Sequence, residues 1–97
     1  MVKIFAILQV RDFPAFEAFE RKASKIMADY NGKIVSAFET VRHADGAGEE
    51  VHVVEFQCEE DFTRYKSDPR FQTLADLRAK AISGVELKVA LAEKSYS

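Results

Sequence analysis

The stretch Val2-Lys3-Ile4-Phe5-Ala6-Ile7-Leu8-Gln9-Val10 sets Val2, Ile4, Ala6, Leu8 and Val10 on one side of an extended chain. Phe5 and Ile7 fall on the other side. A strand apolar on both faces is covered on both, which predicts a central position in a sheet. Arg11 leads out of it to Asp12, an N-cap type, and Pro14 then sits in a first helical turn, where its missing N–H costs nothing. From Phe13 to Tyr30 the period becomes helical. Phe16, Phe19, Ala23, Ile26, Met27 and Tyr30 form an apolar stripe, and Glu17, Glu20, Arg21, Lys22 and Lys25 read as lying largely off it. Asn31-Gly32 supplies a left-handed stop.

Downstream, residues 33–42 are extended again, around Ile34, Val35, Phe38, Thr40 and Val41. A polar loop from His43 to Glu49 separates them from a further strand over 50–57, so the two form a hairpin. Cys58-Glu59-Glu60-Asp61 opens a second helix with an acidic first turn. Asp68 caps and Pro69 restarts that helix, whose stripe is Phe71, Leu74, Leu77 and Ala81, and Gly84 ends it. Val85, Leu87, Val89 and Leu91 then alternate with Glu86, Lys88 and Ala90 in a last strand at a sheet edge. The order β-α-β-β-α-β predicts an α+β, ferredoxin-like fold, a four-stranded antiparallel sheet with helices on one face. Its other face is apolar and needs a second layer, for which a second copy of the chain is the economical solution. The expected assembly is a homodimer through the open sheet face, a dimeric α/β barrel.

With 97 residues, the expectation is a single domain over 1–97. Fourteen basic against 16 acidic residues give a net charge of −2, which offers no footprint for nucleic acid or an anionic membrane. The RNA-binding version of this topology needs a basic surface and exposed aromatics on both central strands, and Glu50-Val51-His52-Val53-Val54-Glu55 has no such run. The lone Cys58 allows neither an internal disulfide nor a cysteine-based zinc site. No apolar run approaches a membrane span, and the N-terminal run carries Lys3 and no cleavage signal, so a cytoplasmic location is expected.

Val53-Val54-Glu55-Phe56, Phe62, Tyr65, Asp68-Pro69-Arg70-Phe71-Gln72, Leu74 and Leu77-Arg78 together resemble the DUF1330 family, small bacterial proteins of unknown function in the dimeric α/β-barrel superfamily. Asp12, Phe16, Phe19 and Asn31-Gly32-Lys33 extend the likeness, which runs from about Lys3 to Leu91. The chain is a divergent member by this comparison: Ala37-Phe38-Glu39 stands where the family continues with Arg-Gly-Gly, and Cys58 where it commonly has Ser. The resemblance implies the fold and the dimer, and carries no established catalytic residues. Superfamily relatives include cofactor-independent oxygenases, haem-degrading enzymes and lactone isomerases, which is analogy at the level of the fold. The haem-degrading kind uses a helical histidine and a tryptophan, whereas both histidines here fall on strand-like segments and tryptophan is absent.

Four residues stand out as candidates. Glu55 shares a strand face with Val51 and Val53 and, if the Phe56 face meets the helices, points between two sheets. A carboxylate there is the candidate acid/base group; the alternative is an ion pair with Arg78, Arg42 or Lys88 or a link across the dimer. Arg78, Tyr65 and His52 are the candidate ligand-binding residues, with surface pairing as the plainer reading of Arg78. His52 and Glu55 lie three apart on one strand and face opposite ways, so no dyad or shared metal site is expected of them. No metal and no cofactor are implied. The reading is a protein that binds a small molecule near the sheet. Its alternatives are a cofactor-independent monooxygenase- or isomerase-like enzyme using Glu55, and a non-catalytic protein-interaction module.

Overall fold

The computed structural model describes residues 1–97. Strand β1, Val2–Val10, leads into helix α1, Phe13–Ala28, and then to the hairpin of β2, Gly32–Arg42, and β3, Gly48–Phe56. The second crossover is three short helices, α2 (Glu59–Lys66), α3 (Arg70–Thr73) and α4 (Ala75–Ala81), which return the chain to β4, Ile82–Val89. The sheet order is β2-β3-β1-β4, and every neighbouring pair is antiparallel. This is the ferredoxin-like arrangement, with β1 central and β4 at an edge.

Burial decides which side of β1 meets the helices. Ile4, Ala6, Leu8 and Val10 are buried: Ala6, Leu8 and Val10 pack with Phe13, Phe16, Phe19, Ala23 and Ile26 of α1 and with Leu74, Ala81 and Ile82, and Ile4 packs with Met27, Val54 and Phe56. On β3 the same side carries His52, Val54 and Phe56. Phe16 and Phe56 are each 1% exposed, and truncating either to Ala would cost about 3–5 kcal/mol. The opposite face of the sheet carries Phe5, Ile7, Val51 and Val53, half-buried, and Phe38, which is 58% exposed.

Several local details depart from the sequence reading. Asp12 and Cys58 occupy N-cap positions in extended conformation, but neither side chain makes a capping hydrogen bond. Helix α1 stops at Ala28, two residues early, and the left-handed residue is Asn31 at φ 59°. Gly32 serves a different purpose: a Cβ there would run into the Phe56 ring and Met27. Gly84 lies inside β4, opposite Gln9, because Ile82 already pairs with Val10 across a register shift. Val35 is the extra residue of a bulge in β2, between Ile34 and Ser36. No helix is long and apolar enough to cross a membrane.

Candidate functional site

Between the helices and the sheet lies a cavity of about 430 Å³, and 15 of its 19 lining residues are hydrophobic. That volume falls within the range of small-molecule sites. Ile4, Ala6 and Leu8 of β1 and Val54 and Phe56 of β3 form its floor. An aromatic wall follows from α2 and α3: Phe56 stands 5.3 Å from the ring centroids of both Phe62 and Tyr65, and Tyr65 meets Phe71 edge-on at 4.8 Å. On the β4 side Val85 and Leu87 line the cavity while remaining 42% and 45% exposed, so the mouth opens there. Lys66 and Arg78 are exposed and also line it, which gives an apolar interior a cationic rim.

His52 enters from β3 between Ala6 on β1 and Ala37 on β2, two small residues that leave room for the ring. It is 4% exposed, with the Phe16 ring centroid 5.8 Å away. Strand alternation puts Glu50 on the same face two residues earlier, and Glu50 Oε1 lies 2.8 Å from His52 Nε2. The other ring nitrogen, Nδ1, faces Glu20 Oε2 at 3.9 Å. Glu20 itself lines the cavity. Burial pushes its pKa up; the His52 charge opposes that shift and the Glu50 charge adds to it. Burial, with a further contribution from Glu20, also drives the Tyr65 phenol well above its ordinary range.

Of the four residues singled out from the sequence, His52, Tyr65 and Arg78 converge on this cavity. Glu55 does not. It stands on the opposite face with Val51 and Val53, and its partner is Lys3 Nζ at 3.5 Å, directly across in the β1–β3 register. Arg78, Arg42 and Lys88, the partners expected for it, are engaged elsewhere or face away. Arg42 pairs with Glu39 at 2.6 Å and stacks 3.5 Å over the Phe13 ring, and Lys88 pairs with Glu86 at 3.5 Å. Arg78 is on the helix side of the sheet. Lys3, the in-register neighbour on β1, meets Glu55 on its own side of the sheet.

Glu20 is the residue that sequence reading assigned to the solvated side. The spacing Phe16, Glu20, Ala23, Met27 follows the helical three- and four-residue steps, so Glu20 belongs to the buried stripe. A carboxylate on such a stripe was the available signal. No group of three or more His, Cys, Asp or Glu side chains is gathered tightly enough to hold a metal ion.

Residues 3–91 match the family described as Domain of unknown function (DUF1330). The chain belongs to the DUF1330 family. No curated protein matches this DUF1330 chain in sequence. Among solved structures it is similar to SnoaB, a cofactor-independent oxygenase from Streptomyces nogalater, at 18% identity over 97% of this chain and 94% of that one, with a TM-score of 0.72. It is also similar to RPA0582 from Rhodopseudomonas palustris, a protein of unknown function, at 16% identity over 97% and 83% of the two chains and a TM-score of 0.76. A NIPSNAP family protein of unknown function from Agrobacterium tumefaciens matches at 20% identity over 93% and 86%, with a TM-score of 0.67. At these identities the DUF1330 chain shares a fold with its neighbours, and a fold alone carries no activity.

Proposed function

We infer that this DUF1330 protein binds an apolar small molecule in the helix–sheet cavity, as a homodimer joined through the open sheet face. The observation that carries the reading is an apolar space of about 430 Å³ that His52, Tyr65 and Arg78 reach from three different elements. Fifteen hydrophobic lining residues call for an apolar ligand body, and Lys66 and Arg78 at the mouth call for an anionic or carbonyl end. Glu55 belongs in this reading to the sheet–sheet interface, where its pair with Lys3 is half of a mixed-charge border.

The test is fluorescence titration with 1-anilinonaphthalene-8-sulfonate, an apolar bicycle bearing one anionic group. Ala75 lines the cavity yet is exposed on its helix, so Ala75→Trp obstructs the site at little cost to folding. One probe is expected per chain, with binding weakened about tenfold or more in Ala75→Trp, a loss of about 1.4 kcal/mol. Equal binding by both proteins would count against the cavity as the site. Native mass spectrometry of protein purified gently, without refolding, reads the natural occupant and the subunit number together.

A further inference from the structure

The polar groups on the inner wall form a connected row. Glu50 meets His52 Nε2 at 2.8 Å, and His52 Nδ1 faces Glu20 at 3.9 Å, with Glu20 against the cavity. An ionised carboxylate only accepts, so Nε2 donates to Glu50, and Nδ1 is the ring nitrogen that faces Glu20. Closing that gap by about 1 Å makes a hydrogen bond once one of the two carries a proton: a protonated Nδ1 donates to the Glu20 carboxylate, or the Glu20 carboxyl donates to Nδ1. A hydrophobic residue at position 20 would complete the α1 stripe; a carboxylate there is costly, and such costs concentrate at working sites.

We propose that the cavity is a proton-transfer site for apolar carbonyl compounds, with Glu20 as the catalytic base, Tyr65 as donor to the carbonyl oxygen, and His52 with Glu50 as the positioning pair behind Glu20. The proposal rests on the cavity being the ligand site. A Glu20 oxygen takes a proton from the carbon next to the carbonyl. The C–H electron pair becomes the C=C of an enolate, and the carbonyl π pair moves to oxygen, where the Tyr65 hydroxyl donates a hydrogen bond. When that pair returns to re-form the carbonyl, the Glu20 carboxyl gives a proton back. It goes to the same carbon, which is exchange, or to the far end of a conjugated double bond, which is isomerisation. Atoms and electrons balance in both cases with no oxidant, reductant or further reactant.

Burial, the largest influence on Glu20, raises its pKa and with it the strength of the carboxylate as a base. The same burial keeps Tyr65 protonated and able to donate. Besides these groups, the ionisable residues lining the cavity are Lys66 from α2 and Arg78 from α4.

The experiment uses 2-tetralone, an apolar bicyclic ketone with acidic protons beside the carbonyl, in deuterated buffer. Proton NMR follows deuterium uptake, and a parallel titration measures binding of the ketone. The native chain is expected to accelerate exchange about 100-fold or more over buffer. Glu20→Gln should lose that acceleration while binding the ketone as before. It replaces a buried charge by a neutral group of the same shape, so the fold is expected to survive, and Glu20→Asp should recover part of the rate. Tyr65→Phe should lose about tenfold or more. His52→Gln should move the pH midpoint of the exchange rate, which a purely structural residue would leave in place. Ketone that binds without exchanging, or exchange undiminished in Glu20→Gln, would overturn the proton-transfer assignment and leave the binding site standing. Failure of the native chain to bind the ketone would overturn both.

Discussion

Asp68 accepts hydrogen bonds from the Tyr30 hydroxyl at 2.6 Å, from Arg70 Nε and Nη2 at 3.0 Å, and from the Arg70 backbone N–H at 2.8 Å. Arg70 Nη1 continues to Asp29 at 2.9 Å, so one carboxylate joins the end of α1 to the break between α2 and α3. Hydrogen bonds from Arg70, then from Tyr30, hold the Asp68 carboxyl well below the usual carboxylate range. A pKa lowered on folding stabilises the protein above the unfolded-state value of about 3.9, and that stability is lost as pH falls toward the folded-state value. Asp68→Asn is therefore expected to lower the melting temperature by about 5 °C near neutral pH. Scanning calorimetry at about pH 7 and about pH 3 should find the difference from the native chain shrinking in acid; a difference independent of pH would mean that the charge of Asp68 is not what matters. Its capping role was legible, because Asp before Pro at a helix restart is a local pattern. Its partner Tyr30 was not, nor was the link from Arg70 to Asp29, since these residues lie 38 and 41 positions away in the chain from Asp68 and Arg70. Glu20 lay between these cases: its spacing was visible, but a charged side chain is normally read as solvated until a cavity is seen beside it.

Periodicity made every major element legible, because it records which side of each element is buried. Turn chemistry was harder to read. In Asn31-Gly32 both residues favour a left-handed stop, and only the structure separates their jobs: Asn31 takes positive φ, and Gly32 yields space to Phe56 and Met27. Gly32→Ala is thus expected to destabilise through overpacking, by about 1–3 kcal/mol, as Phe56 is displaced from its fully buried position. Chemical denaturation measures it. A control at the neighbouring residue, Asn31→Gly, should cost little, because glycine adopts positive φ without strain. If the two effects were reversed in size, backbone conformation rather than close approach would be the constraint at this corner. The division of the second crossover into α2, α3 and α4 has the same origin: Asp68-Pro69 was visible, whereas the further break at Leu74 follows from burying that side chain between α3 and α4 in the core.

At the scale of the molecule, the choice between the two faces of β1 was not legible, since both are apolar. Phe16, Phe56 and the helices settle it, leaving Phe5, Ile7, Val51, Val53 and Phe38 on the uncovered side. Nine-residue central strands, four abreast, offer a face of about 600 Å² in projection, close to the roughly 800 Å² per partner of stable interfaces. Its border carries both signs, Lys3 with Glu55 and Lys88 with Glu86, which suits a copy of itself turned through a two-fold axis. The native chain is accordingly expected to sediment as a dimer at micromolar concentration. Phe38→Lys combined with Val53→Lys should sediment as a monomer with an unchanged far-UV spectrum, because neither side chain belongs to the helix-side core. A native monomer would remove the second layer altogether. The cavity lies on the opposite side of the sheet, so the monomeric variant should still take up 1-anilinonaphthalene-8-sulfonate with native affinity. Loss of uptake together with the dimer would instead mean that the partner subunit braces the sheet under Ala6, His52 and Val54, and that assembly and ligand binding are one equilibrium.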